Sequence, residues 1–228
     1  CPPFSPWESI PCILTESTKR TMNLIDLLET KVDWNKVFGV VEDLYNDPGF
    51  TSRADNFIVS SSVELALAEF SPLFRVDQIG YDFICEGTDA TGAEITVIGE
   101  YKGEAVELKM RKKLFYSPRG KNPFKTQDVK MKNFQGDKKT LQDFQEQKTF
   151  NKLIVLDLGG WDPYDYKVLV IEDEVARSRY YEKGDGVFAK FQPGDYYRCD
   201  IGDVNPIRSD ILLSDIINEA KKNWIRNR

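Results

Sequence analysis

The sequence predicts an α/β sandwich, a mixed β-sheet flanked by helices in the order α-β-β-β-α-β-β. Three observations carry this reading. Segments with apolar residues at helical spacing alternate with short apolar runs, and turn-like stretches separate several of those runs. The 228 residues, 41% hydrophobic and 30% charged, also hold enough apolar material for one sizeable core.

The helical rhythm begins at Met22, where "MNLIDLLETKVDWNKVFGVVEDLY" sets Leu24, Leu27, Leu28 and Val32 on one stripe. The preceding residues carry several prolines and no periodicity. The expected organisation is therefore an extension over 1–21, outside the core, and a single domain over 22–228 starting at the native methionine. Phe57 to Phe70 has the spacing of a buried helix and stops at Ser71-Pro72, where proline disfavours continuation. Three strand-like runs follow, "IGYDFICEG", "AEITVIGE" and "AVELKM", separated by the turns "TDATG" and "YKGE". Beyond a long basic stretch, "TLQDFQEQKTF" is expected to be helical. "KLIVLDL" and "KVLVIE" are apolar enough for interior strands, and "EDEVARSRYYE" is expected to be helical. Residues 186–201 form a further expected hairpin. "SDILLSDIINEAKKNWIRNR" is an amphipathic helix capped by Ser209 or Asp210, with cations in its last turns.

Composition excludes several chemistries. The chain has no histidine, which removes imidazole as base, nucleophile or ligand; carboxylates and lysines must carry any proton or metal chemistry. Cys1, Cys12, Cys85 and Cys199 lack the close spacing of a thiolate metal site and are expected to be free thiols in a reducing compartment. No window approaches the roughly 18 apolar residues of a membrane span, so a cytoplasmic protein with no membrane partner is expected. Nothing resembles a phosphate-cradling glycine loop, and no organic cofactor is expected.

The candidate site lies on "AVELKM". Side chains alternate along a strand, so Glu107 and Lys109 share one face while Val106, Leu108 and Met110 take the other. With Asp82 on a neighbouring strand, two carboxylates and an ammonium would converge. Mg²⁺ suits such a group, taking carboxylate oxygens and keeping several waters for chemistry. Glu100 and Lys102 spell the same E-x-K pattern closer to Asp82 and form an alternative catalytic pair, and Asp77 competes with Asp82.

Tyr81-Asp82 followed by Glu107-Leu108-Lys109 resembles the motif of the PD-(D/E)xK nuclease superfamily, and the resemblance covers roughly residues 55 to 160. It implies a restriction-endonuclease-like core, α-β-β-β-α-β. Asp82 and Glu107 would then be metal ligands, joined by the carbonyl of Leu108 and by Glu64 from the preceding helix. Lys109 would act beside the attacking water.

The cations after this strand fit such a site. From Lys102 to Lys139 twelve basic residues face four acids, a net charge of +8 in a chain of net charge −6, which leaves −14 for the remainder. Segregation of this kind marks a polyanion-binding surface. Arg111, Lys112, Lys113, Arg119, Lys121, Lys125, Lys130 and Lys132 are the candidate DNA contacts, in a basic insertion at about 110–139 whose "SPRGKNPFK" is expected to loop into a groove. The leading expectation is a Mg²⁺-dependent endonuclease of double-stranded DNA that resembles type II restriction enzymes, which implies a homodimer on a two-fold site. The other two are a catalytically silent nucleic-acid-binding module and a structure-specific repair or recombination nuclease.

Overall fold

The computed structural model describes residues 23–46, 53–78, 81–85, 104–111, 128–133, 140–157, 165–184, 186–208 and 210–226. In chain order these form α1 (Leu24–Thr30), α2 (Trp34–Asn46), α3 (Arg53–Glu69), β1 (Phe74–Gln78), β2 (Tyr81–Cys85), β3 (Glu104–Arg111), β4 (Asp128–Asn133), α4 (Leu141–Glu146), β5 (Lys152–Asp157), β6 (Lys167–Glu172), α5 (Asp173–Ser178), β7 (Tyr180–Lys183), β8 (Gly186–Lys190), β9 (Tyr197–Arg198) and α6 (Asp210–Arg226). Among these residues six strands make a mixed sheet in the order β1-β2-β3-β5-β6-β9, and three make an antiparallel sheet in the order β4-β8-β7. β3 and β5 are parallel, and the remaining pairs of the large sheet are antiparallel. A parallel pair needs a long crossover, and α4 lies on it.

The large sheet is covered on both faces. Val106, Leu108, Ile154, Leu156, Val168 and Val170 pack with the buried residues of α1, α2 and α3 and with Ile216 of α6. Leu153, Val155, Leu169 and Ile171 point the other way, against Val129, Met131, Val187, Ala189 and Tyr180 of the small sheet and Ala176 of α5. Leu153, Ile154, Val155 and Leu156 are all fully buried, which is why "KLIVLDL" is a continuous apolar run with no alternation.

Several elements differ from the sequence expectation for local reasons. The helix expected from Met22 is two helices. Asn23 caps α1 by accepting the Asp26 amide at 2.9 Å. The chain breaks at Asp33, whose amide donates to the Phe70 carbonyl at 3.0 Å and whose own carbonyl accepts the Lys36 and Val37 amides of α2. Trp34 Nε1 donates to the Leu28 carbonyl at 2.7 Å and locks the corner. The helix expected at "EDEVARSRYYE" ends at Ser178, and Tyr180 to Lys183 form β7 instead. Tyr180 then faces the core while Tyr181 faces outward, the alternation of a strand. The late hairpin is β7–β8, and β9 pairs with β6 rather than with β8. β1 was not foreseen from the sequence. The expected strand "AEITVIGE" lies outside the described residues, and β2 pairs directly with β3.

After β9, residues 199–208 cross α1 and α2. The Asp200 amide donates to Glu29 Oε1 at 2.9 Å, the Asn205 amide to Asn35 Oδ1 at 2.8 Å, and the Ile207 amide to the Asn35 carbonyl at 2.9 Å. Arg208 then bonds the buried Asp43. Contact with α2 is so close that a Cβ on Gly39 would lie 1.9 Å from the Ile207 carbonyl oxygen. Among the described residues no helix is long and apolar enough to cross a membrane.

Candidate active site

β3 carries the site because its two faces enter different surroundings. Val106 and Leu108 enter the helix-side core, so strand alternation turns Glu107 and Lys109 toward the small sheet. Glu107 is only 4% exposed. The Lys109 ammonium hydrogen-bonds Glu107 Oε1 and donates to the Leu108 carbonyl at 3.2 Å. One nitrogen therefore touches a side-chain oxygen and a main-chain oxygen from adjacent residues, so the two oxygens converge on a single point.

The second carboxylate comes from strand register. β2 and β3 pair Phe83 with Val106, Ile84 with Ala105 and Cys85 with Glu104. Carried one residue further, the same register sets the backbone position of Asp82 opposite Glu107. Opposite positions in an antiparallel ladder share a face. Asp77 stands on β1, with β2 between it and β3. Glu100 and Lys102 lie outside the described residues. Glu64 is on α3, whose Val63, Ala66 and Leu67 pack with Val106 and Leu108. Its helix thus covers the face of the sheet opposite to the one Glu107 occupies, and the structure does not bring the two together.

Sequence reasoning missed two residues near this face. Tyr180 projects from β7 into the core between the sheets. Burial pushes its hydroxyl well above the ordinary phenol range, and the nearby Glu107 carboxylate adds to the rise while Arg177 opposes it. Asp157 ends β5 on the same side as Leu153 and Val155, is 4% exposed, and is in register with Arg111 of β3 and Lys167 of β6. Its signal was an acid at the end of the "KLIVLDL" run, which apolar patterning alone passes over.

Among the candidate DNA contacts, Arg111 is the last residue of β3, and Lys130 and Lys132 belong to β4. Lys130 is exposed. Lys112, Lys113, Arg119, Lys121 and Lys125 lie outside the described residues. The basic insertion thus contains a strand, and that strand pairs with β8 far along the chain.

The Glu107 carboxylate and the Leu108 carbonyl, which already meet one cationic nitrogen, are oxygen donors of the kind a hard divalent cation takes. Among the described residues no group of three or more His, Cys, Asp or Glu side chains could hold a metal ion. Asp82 enters only through its backbone position. No protein-family model matches the chain, and no curated protein matches it.

Proposed function

We propose that the chain is a Mg²⁺-dependent endonuclease acting on double-stranded DNA in the cytoplasm, of the type II restriction kind and working as a homodimer. The observation that carries this reading is the buried Glu107 carboxylate bonded to Lys109, with the β2–β3 register, carried one residue further, setting the backbone position of Asp82 opposite it. Further support comes from the order of the described elements α3, β1, β2, β3, α4 and β5, which is compatible with the α-β-β-β-α-β order the resemblance implies, β4 lying between β3 and α4. The concentration of cations in the sequence directly after β3 also supports it, because binding a phosphate backbone calls for such charge.

Asp82, Glu107 and the Leu108 carbonyl would hold the ion, and Glu64 is left out of this set because α3 covers the other face of the sheet. When bound, the ion would lower the pKa of a coordinated water and polarise the phosphate. Lys109 does the remaining work at the site: its ammonium, which holds the Glu107 and Leu108 oxygens here, would give them up to the ion, hydrogen-bond the attacking water and balance negative charge as the phosphorus becomes five-coordinate. The small sheet behind Glu107 keeps bulk water from that side of the carboxylate.

The contact between Lys109 and Glu107 also favours a second reading, because an internal cation already neutralises the carboxylate. On that reading the chain binds nucleic acid without cutting it. Plasmid incubated with the protein and Mg²⁺ separates the readings. Discrete bands support the restriction reading, while a smear or cleavage confined to junctions points to a structure-specific nuclease. Intact plasmid in every divalent metal supports the silent module. Lys109→Ala is expected to lower the cutting rate about 10²–10³-fold while leaving DNA binding in Ca²⁺ in place. Full turnover by that variant overturns the site.

A further inference from the structure

The small sheet has an outward face that the site above does not use. Its inward residues, Val129, Met131, Val187, Ala189 and Tyr180, are core. Outward it carries Lys130 from β4, Phe188 and Lys190 from β8, and Tyr181 and Lys183 from β7; the three lysines are exposed and the two aromatics partly so. Register lines them up, with Lys130 opposite Phe188 and Phe188 opposite Tyr181. The ammonium groups of Lys130 and Lys183 lie 5.7 and 5.6 Å from the centre of the Phe188 ring. The Tyr181 ring is 6.2 Å from it, tilted by 35°. Asp128 also lies here, paired with Lys183 at 2.9 Å. Burial raises the Asp128 carboxyl, but hydrogen bonds from Lys183 and Tyr181 outweigh it and hold the group below the usual range.

We propose that this face is a platform for a single strand of nucleic acid, whose bases stack on Phe188 and Tyr181 while Lys130, Lys183 and Lys190 hold its phosphates. Two adjacent aromatics framed by three lysines match the requirements of an unpaired strand: a π-face for each base and a cation within reach of the backbone. A duplex offers phosphates but keeps its base faces stacked inside, so it has no use for the rings. Cation–π contacts at an exposed ring are weak, so the two ammonium groups can exchange the Phe188 face for phosphate as a base takes their place. Connectivity agrees, since β4 lies within the same basic stretch, Lys102 to Lys139, that contains β3. The platform rests on the nucleic-acid side of the proposed function and not on hydrolysis.

The test uses the full chain in Ca²⁺, with fluorescence anisotropy of a labelled oligothymidine of roughly 16 nucleotides and of a blunt duplex of equal length. Phe188→Leu keeps an apolar side chain outside the core and is expected to weaken oligothymidine binding about tenfold, with duplex affinity nearly unchanged. Phe188→Tyr is expected to restore single-strand binding. Lys130→Gln with Lys183→Gln is expected to flatten the log–log salt slope by about 1.4. The platform is overturned if Phe188→Leu binds oligothymidine as tightly as the parent, if single strand and duplex weaken alike, or if Phe188→Tyr fails to rescue. Plasmid cutting is read separately. A chain that cuts yet ignores Phe188→Leu keeps the nuclease and loses the platform, and a chain that never cuts but loses oligothymidine on Phe188→Leu does the reverse.

Discussion

Leu108 and Glu107 stand on opposite faces of β3, buried to nearly the same degree and set in opposite chemistry. On the helix side, Leu108 is 6% exposed among leucine, isoleucine and valine; on the other side, Glu107 is 4% exposed and bonded to an ammonium. Burial alone therefore does not distinguish them. Apolar packing on the helix side contributes stability directly. A buried ion pair contributes little beyond what a hydrophobic pair of the same shape would, because desolvation cancels most of its attraction. The helix side explains why the sheet holds together, and the polar side calls for a functional explanation.

That contrast can be tested by substitution on each side. Leu156, fully buried on β5 beneath the helices, is the strongest lever. Leu156→Ala is expected to cost about 2–5 kcal/mol in chemical denaturation, and a loss well under 1 kcal/mol would mean the helix layer is not the stabilising one. Gly39→Ala comes next. Its methyl would meet the Ile207 carbonyl, which is backbone and is held in place by the bond from the Ile207 amide to Asn35. A loss of about 1–3 kcal/mol is expected, and an unchanged melting temperature would show that residues 199–208 do not press on α2. No loss of stability should come from the polar side. Glu107→Leu combined with Lys109→Met is expected to leave stability unchanged or raise it by about 1–4 kcal/mol while abolishing cutting. Strong destabilisation by that pair would make Glu107 and Lys109 structural.

What the sequence made legible follows from locality. α3, β5, β6 and α6 appear in it because each has an apolar pattern complete within its own residues. β4 does not, because its partner is distant, Asp128 pairing with Lys190; β9 lies inside the hairpin expected over 186–201, but its partner is β6, Val170 pairing with Tyr197. The break at Asp33 depends on a bond to Phe70, which no local window contains. Within the site, the shared face of Glu107 and Lys109 is pure alternation and was readable. The position of Asp82 opposite Glu107 depends on β2–β3 register, and a stretch of 18 residues between the strands hid it. Asp157 was overlooked because a run of buried leucine and valine reads as core whatever ends it.

The central claim is that Asp82 and Glu107 share one divalent ion. Mn²⁺ binding to the full chain, followed by electron paramagnetic resonance, tests this without requiring turnover. Asp82→Asn and Glu107→Gln are each expected to remove the bound-ion signal, and Glu100→Gln is expected to keep it. Loss of the signal in Glu100→Gln with retention in Glu107→Gln would contradict the account and move the site to the alternative pair.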